Sequence, residues 1–172
     1  MSFDRMFVRH WDTWSDRRNS QLFVAELERG RAGAPVSVSG TLDADVPSKP
    51  FGDESEYGFS PDSSKLVFNA RIKGKSEPWS TNFDLYEVSV EGGEPRNLTA
   101  DNPAWDAQPV FSPDAAAMAW LAMKRPGFEA DRFHVMIADL KTGERRELAQ
   151  DWDRSAAQIA FAADGRTLFA VA

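Results

Sequence analysis

Apolar positions along this chain come in two textures, and both recur. "KLVFNA" at 65–70 and "AMAWLA" at 117–122 are nearly unbroken apolar runs, the pattern of strands covered on both faces. "FDLYEVSVEGGEPRNLT" at 83–99 and "FHVMIADLKTGERRELA" at 133–149 instead alternate, with Leu85, Glu87 and Ser89 set against Tyr86, Val88 and Val90. That alternation predicts a half-exposed strand followed by a turn at Gly92 and Gly93, or at Gly143, into a further strand.

Each dense run follows a reversal. "YGFSPDSSKLVFNA" at 57–70, "PVFSPDAAAMAWLA" at 109–122 and "IAFAADGRTLFAVA" at 159–172 place Phe59, Phe111 and Phe161 at intervals of 52 and 50 residues. Tyr86 and Met136 repeat at 50. In "FSPD" the phenylalanine ends a strand, Pro presets φ for the turn, and Ser and Asp can bond nearby amides. Phe59 and Phe111 are expected in equivalent buried positions. In the third copy Ala163 stands in place of Pro, and Asp164-Gly165 supplies the turn.

Each unit therefore reads as four antiparallel strands, apolar inner strands first and polar outer strands last. Units of this length with turns between all strands fit the blades of a β-propeller. The chain is expected to be all-β: a partial blade at 1–40, blades at 41–99 and 100–149, and the inner hairpin of another at 150–172. Residues 20–39 fit an outer half-blade, "QLFVAEL" and "APVSVSG" taking the places of "FDLYEV" and "PRNLT". In residues 1–19, Phe3, Met6, Phe7, His10 and Trp14 have helical spacing, yet "MFVRHW" also suits an inner strand, which we favour. The sequence stops at Ala172 within an expected strand, so a longer natural polypeptide is expected. An open set of blades leaves apolar faces and strand edges uncovered, and self-association of the isolated chain is expected.

Composition narrows the partners. The 172 residues carry a formal charge of −7, with no basic run to track phosphates, so nucleic acid is not an expected partner. There is no cysteine, which removes disulfides, thiolate metal sites and a cysteine nucleophile. "MSFDRMFVRH" does not read as a secretory signal, and no apolar stretch of membrane-spanning length is present, so no membrane association is expected; the compartment stays open.

Candidate chemistry is sparse. The acids of "DAD" (43–45), "DNPAWD" (101–106) and "DWD" (151–153) fall between an outer strand and the next inner one, where Asp caps loop amides. No calcium-loop spacing accompanies them, and neither metal nor cofactor is expected. His10 and His134 sit in strand-like segments with no matching nucleophile. "NLT" at 97–99 fits a glycosylation acceptor but closes a strand. The loops "RIKGKSEPWSTN" (71–82) and "MKRPGFEADR" (123–132) are longer than tight turns and share one face with the loops at 99–108 and 149–157. Trp79, Arg125, Phe128 and Arg132 there are the contact candidates: the composition suits a binding face, or a seal between neighbouring blades.

The segments "VRHWDTW", "LDADVPSKPFG", "FSPDSSKLVF", "EPWSTNFDLYEV", "RNLTADNPAWDAQPVFSPD", "MAWLAMKRPGFEADR" and "DWDRSA" together resemble the propeller half of the prolyl oligopeptidase family of serine peptidases, of the bacterial dipeptidyl and acylaminoacyl type. "FSPD" alone is shared with TolB-like propellers; "EPWSTNFDLYEV" and "LAMKRPGFEADR" are more particular. The resemblance implies seven or eight blades covering an α/β-hydrolase domain that holds the Ser, Asp and His, with short peptides as substrates. Nothing in this chain matches that domain: "GFSPD" at 58–62 lacks the second glycine of G-x-S-x-G, and no catalytic residue is assigned. The implied partners are the remaining blades, the hydrolase domain and entering peptide. The alternative is a TolB-like propeller that binds another protein through its loop face.

Overall fold

The computed structural model describes residues 8–10, 12–72 and 74–172. Its strands are β1 (Arg9–His10), β2 (Thr13–Trp14), β3 (Phe23–Val24), β4 (Leu27–Glu28), β5 (Arg31–Ala32), β6 (Val36–Ser37), β7 (Tyr57–Phe59), β8 (Lys65–Ala70), β9 (Asp84–Ser89), β10 (Arg96–Asn97), β11 (Asp106–Phe111), β12 (Ala117–Ala122), β13 (His134–Asp139), β14 (Arg145–Leu148), β15 (Gln158–Phe161) and β16 (Leu168–Val171). β7 to β10 form one antiparallel four-stranded sheet and β11 to β14 another, each in sequence order. β15 and β16 repeat the first two strands of that order.

The register is the same in each unit. Phe59 faces Leu66, Phe111 faces Met118 and Phe161 faces Leu168 across the first hairpin; Phe68 faces Tyr86, and Trp120 faces Met136, across the second. The turn chemistry explains why. Ser60 and Ser112 each donate a hydroxyl hydrogen bond to Asp62 or Asp114 at 2.6 Å, and each serine hydroxyl accepts an amide from the start of the next strand, Lys65 at 3.0 Å and Ala117 at 2.9 Å. In the third copy Asp164 accepts the amides of Arg166 and Thr167 directly. All three turns need one left-handed residue, filled by Ser63 (φ 58°), Ala115 (φ 57°) and Gly165 (φ 67°). Only glycine meets that need without a steric cost.

The amino-terminal outer half-blade is built to the same plan. The Leu22 amide donates to Ser39 Oγ at 2.9 Å, as Leu85 does to Thr99 Oγ1 at 2.9 Å. The amides of Val46, Asp106 and Ala156 donate to the carbonyls of Ser20, Phe83 and Phe133 at 3.0, 2.8 and 3.2 Å. Phe23 is thereby the counterpart of Tyr86 and Met136, and β3 with β6 is an outer strand pair.

The core lies between sheets rather than within one. Leu66, Phe68, Ala70, Tyr86 and Val88 pack against Val38, Ala44 and Val46. Val67 and Leu85, on the opposite face of the same sheet, meet Met118, Trp120 and Ala122. Ala119, Leu121 and Val135 meet Ala156 and Ile159 of the next unit. The innermost strands approach closely: a Cβ on Gly58 would lie 3.1 Å from the Pro109 carbonyl oxygen.

Two expectations need correction. Phe59 is 48% exposed while Phe111 packs against the neighbouring core; their register is equivalent, but only Phe111 has a preceding sheet to cover it. β9 is not half-exposed, since Leu85, Tyr86 and Val88 are all buried, because a sheet stacked between two others has no solvent face. Of "MFVRHW", read as a strand, Arg9–His10 form β1, paired with β2. Phe3, Met6, Phe7 and Trp11 lie outside the described residues.

Candidate functional site: the loop face

The long loops between second and third strands meet on one face. The Gly127 amide donates to Thr81 Oγ1 at 2.9 Å, joining loop 123–132 to loop 71–82. The Met123 amide donates to the Trp105 carbonyl at 2.7 Å, and the Arg132 guanidinium donates to the Trp152 carbonyl. Beneath them runs an aromatic ladder: Phe83 stacks on Trp105 with ring centres 4.7 Å apart, and Trp105 meets Phe133 edge-on at 5.7 Å. Arg71 caps it, 4.9 Å above the Phe83 ring, held by Glu77 at 3.3 Å and by the Ser80 carbonyl at 3.1 Å.

The four contact candidates separate into three situations. Trp79 ends the 3₁₀ helix Gly74–Trp79 and is 72% exposed. Arg125 lies 4.2 Å over the Phe128 ring and pairs with Asp131 at 2.8 Å, so these two form one exposed cation–π unit. Asp131 also accepts the amides of Lys124 and Arg125 at 2.9 and 2.8 Å. Burial pushes its carboxyl up, but these bonds prevail and hold it well below the ordinary range. Arg132 instead turns inward, tying its loop to the 149–157 loop, and serves as a seal. Beside it His134 Nδ1 lies 2.6 Å from Glu147 Oε1, and Lys124 donates to the other Glu147 oxygen at 2.7 Å. Burial raises the Glu147 carboxyl, and the Lys124 and His134 bonds override it and lower it.

The acidic segments divide likewise. Asp45 accepts the Ser20 amide at 2.6 Å and Lys49 Nζ at 2.8 Å, and Asp101 pairs with Arg145 at 2.9 Å. Asp106 is buried, accepting Trp120 Nε1 at 2.7 Å and Asn102 Nδ2 at 3.0 Å. Burial pushes it up to about 7 against those hydrogen bonds, and neighbouring Asp84 adds to the rise. Its place in "DNPAWD" suggests a loop acid; the apolar "WDAQPVF" around it is the available sign that it opens a buried strand. The Asn97 amide nitrogen of "NLT" is occupied by Asp84 at 2.9 Å and the Tyr86 hydroxyl at 3.3 Å.

Stacked four-stranded sheets with their long loops gathered on one face make this protein an incomplete β-propeller. Solved propellers agree: a protein described as a TolB from Agrobacterium tumefaciens matches 86% of this chain and 46% of its own, at a TM-score of 0.59 and 17% identity. TolB from Acinetobacter baumannii matches 87% of this chain and 31% of its own, at 0.57 and 17%. At such identity the likeness is one of fold. No protein-family model matches the chain. Among curated proteins, dipeptidyl-peptidase 5 of Porphyromonas gingivalis is 28% identical over 97% of this chain and 24% of its own length. That of Schizosaccharomyces pombe is 28% identical over 91% and 24%, and that of Arthroderma otae 29% over 99% and 26%. The chain is related to the propeller portion of the prolyl oligopeptidase family of serine peptidases. It spans about a quarter of the length of the curated relatives it matches.

Proposed function

We propose that this chain is the non-catalytic, substrate-gating propeller part of a serine peptidase that cleaves short peptides, with the α/β-hydrolase domain elsewhere in the parent polypeptide. The observation that carries the reading is a match running over 97% of the chain but 24% of a dipeptidyl-peptidase, in a segment built of propeller blades. Its units are 1–40, 41–99, 100–149 and 150–172. Gating follows from the architecture: a ring of blades over an active site admits only chains narrow enough to pass it. Trp79 and the Arg125–Phe128 pair are the exposed groups able to meet the hydrolase domain or an entering peptide, aromatic and Arg side chains being favoured anchors in such contacts.

The chain alone is expected to leave chromogenic dipeptide and acyl-amino-acid substrates intact, since the groups that would supply nucleophile, base and oxyanion hole belong to the other domain. Turnover that copurifies with the 172-residue chain and scales with its amount refutes the assignment. Reading the gene beyond the codon for Ala172 is the companion test: further blades and then G-x-S-x-G are expected, whereas a stop without a hydrolase domain favours a binding module of the TolB kind.

A further inference from the structure

Glu147 on β14 is a single carboxylate among several nitrogen groups. Its Oε1 lies 2.6 Å from His134 Nδ1 and its Oε2 2.7 Å from Lys124 Nζ. Arg132 Nη2 stands 3.1 Å from the same Nδ1, while its Nη1 donates to the Trp152 carbonyl. The side chains of His134 and Glu147 are nearly enclosed, 9 and 12% exposed. Arg154 of the 149–157 loop lines the same small cleft and carries Asp153 at 3.5 Å. Asp131, the other nearby acid, is engaged with Arg125 and with the amides of Lys124 and Arg125. In the preceding sheet the positions of His134 and Glu147 are filled by Asp84 and Asn97, bonded at 2.9 Å, so the imidazole belongs to this one seam.

One ring nitrogen cannot serve both neighbours. At 2.6 Å from an ionised carboxylate, Nδ1 carries a hydrogen, because two facing acceptors at that distance repel. The Arg132 guanidinium has donors only and so finds no acceptor at Nδ1; what holds it inward is the Trp152 carbonyl. With the ring neutral, Lys124 and Arg132 share the field of Glu147. A proton added at Nε2 sets a third positive charge against that carboxylate, on a ring 3.1 Å from the guanidinium and where enclosure weakens screening. Lys124 and the imidazolium both touch Glu147, whereas among the described residues Arg132 makes no contact with it, so Arg132 is the group displaced. We infer that protonation of His134 drives Arg132 off the Trp152 carbonyl and unties loop 123–132 from loop 149–157, making this seam of the loop face a proton-operated latch.

Hydrogen exchange on the 172-residue chain tests the latch at about pH 5.5 and about pH 8, which bracket the range where imidazoles change charge, with rates corrected for intrinsic exchange. Segment 149–157 is expected to exchange about threefold or more faster on the acid side, as for loss of one part-buried charged contact, while Ala117–Ala122 of β12 does not. In His134→Gln, neutral at both values, the difference should disappear; in Arg132→Met the loop should exchange fast at both. Glu147→Gln keeps the imidazole but removes the charge that favours its proton, and should move the transition to lower pH. Asp106 also takes up a proton in this range but strengthens the fold on the acid side, so it works against the expected result and does not imitate it. The first comparison needs no variant and decides the matter even where a substituted chain does not fold. Equal corrected rates at the two pH values, a difference that survives in His134→Gln, a transition unmoved by Glu147→Gln, or a matching acceleration in β12 would each overturn the latch.

Discussion

Asp106 begins β11 with its carboxylate enclosed between the Trp120 indole and the Asn102 amide, and that setting makes it a pH-sensitive point in the fold. Burial raises it to about 7, above the 3.8 of an exposed aspartate, so the folded state holds a proton that the unfolded state releases. Stability is therefore lost as pH rises from about 4 to about 7 and is level above that, by up to about 4 kcal/mol from this group. Denaturant midpoints measured across that range should fall. In Asp106→Asn the slope should vanish, and a slope unchanged in the variant would assign it to another group.

At the scale of the elements, equivalent strands differ in what covers them, and substitutions should differ accordingly. Phe68 on β8 is fully enclosed between the outer half-blade and its own sheet; Phe68→Ala is expected to cost about 3–5 kcal/mol. Phe169 on β16 is one residue out of phase with that position and open to solvent. Phe169→Ala should change the stability of the dilute chain by no more than about 0.5 kcal/mol, and its effect should appear only when copies associate. Chemical denaturation at low protein concentration distinguishes the two. The dense runs at 65–70 and 117–122 announced β8 and β12 because strands covered on both faces leave few polar positions, the buried Asn69 being the exception on β8. β9 escaped the same reading, since Glu87 within it is partly buried and held by Lys65 and Arg96 at 3.2 and 3.0 Å, and that acid with the exposed Ser89 gives a mostly buried strand the look of alternation. That Trp79, Arg125 and Phe128 stand exposed in their loops was legible from aromatic and basic residues in overlong loops. Arg132 has the same composition, and only the fold could reveal that it turns toward the Trp152 carbonyl.

At the scale of the whole molecule, the isolated 172-residue chain exposes apolar side chains such as Phe23 and Phe169, and self-association is the expected consequence. Association adds free energy to the folded state by mass action. The melting temperature should then climb by about 3 °C or more over a hundredfold rise in concentration; scanning calorimetry on a dilution series checks it, and a constant value would mean that the isolated chain does not associate.

The three apolar seams of this chain all lie between units, each made from the following face of one sheet and the preceding face of the next. Inserting or deleting one whole unit of about fifty residues would remake a seam of the same kind, because both faces at the cut belong to the same two types. Removing half a unit would instead bring two unlike halves together. Lineages built on this plan are therefore free to drift in blade number by whole-unit duplication and loss, while the side chains on the two faces remain bound to one another.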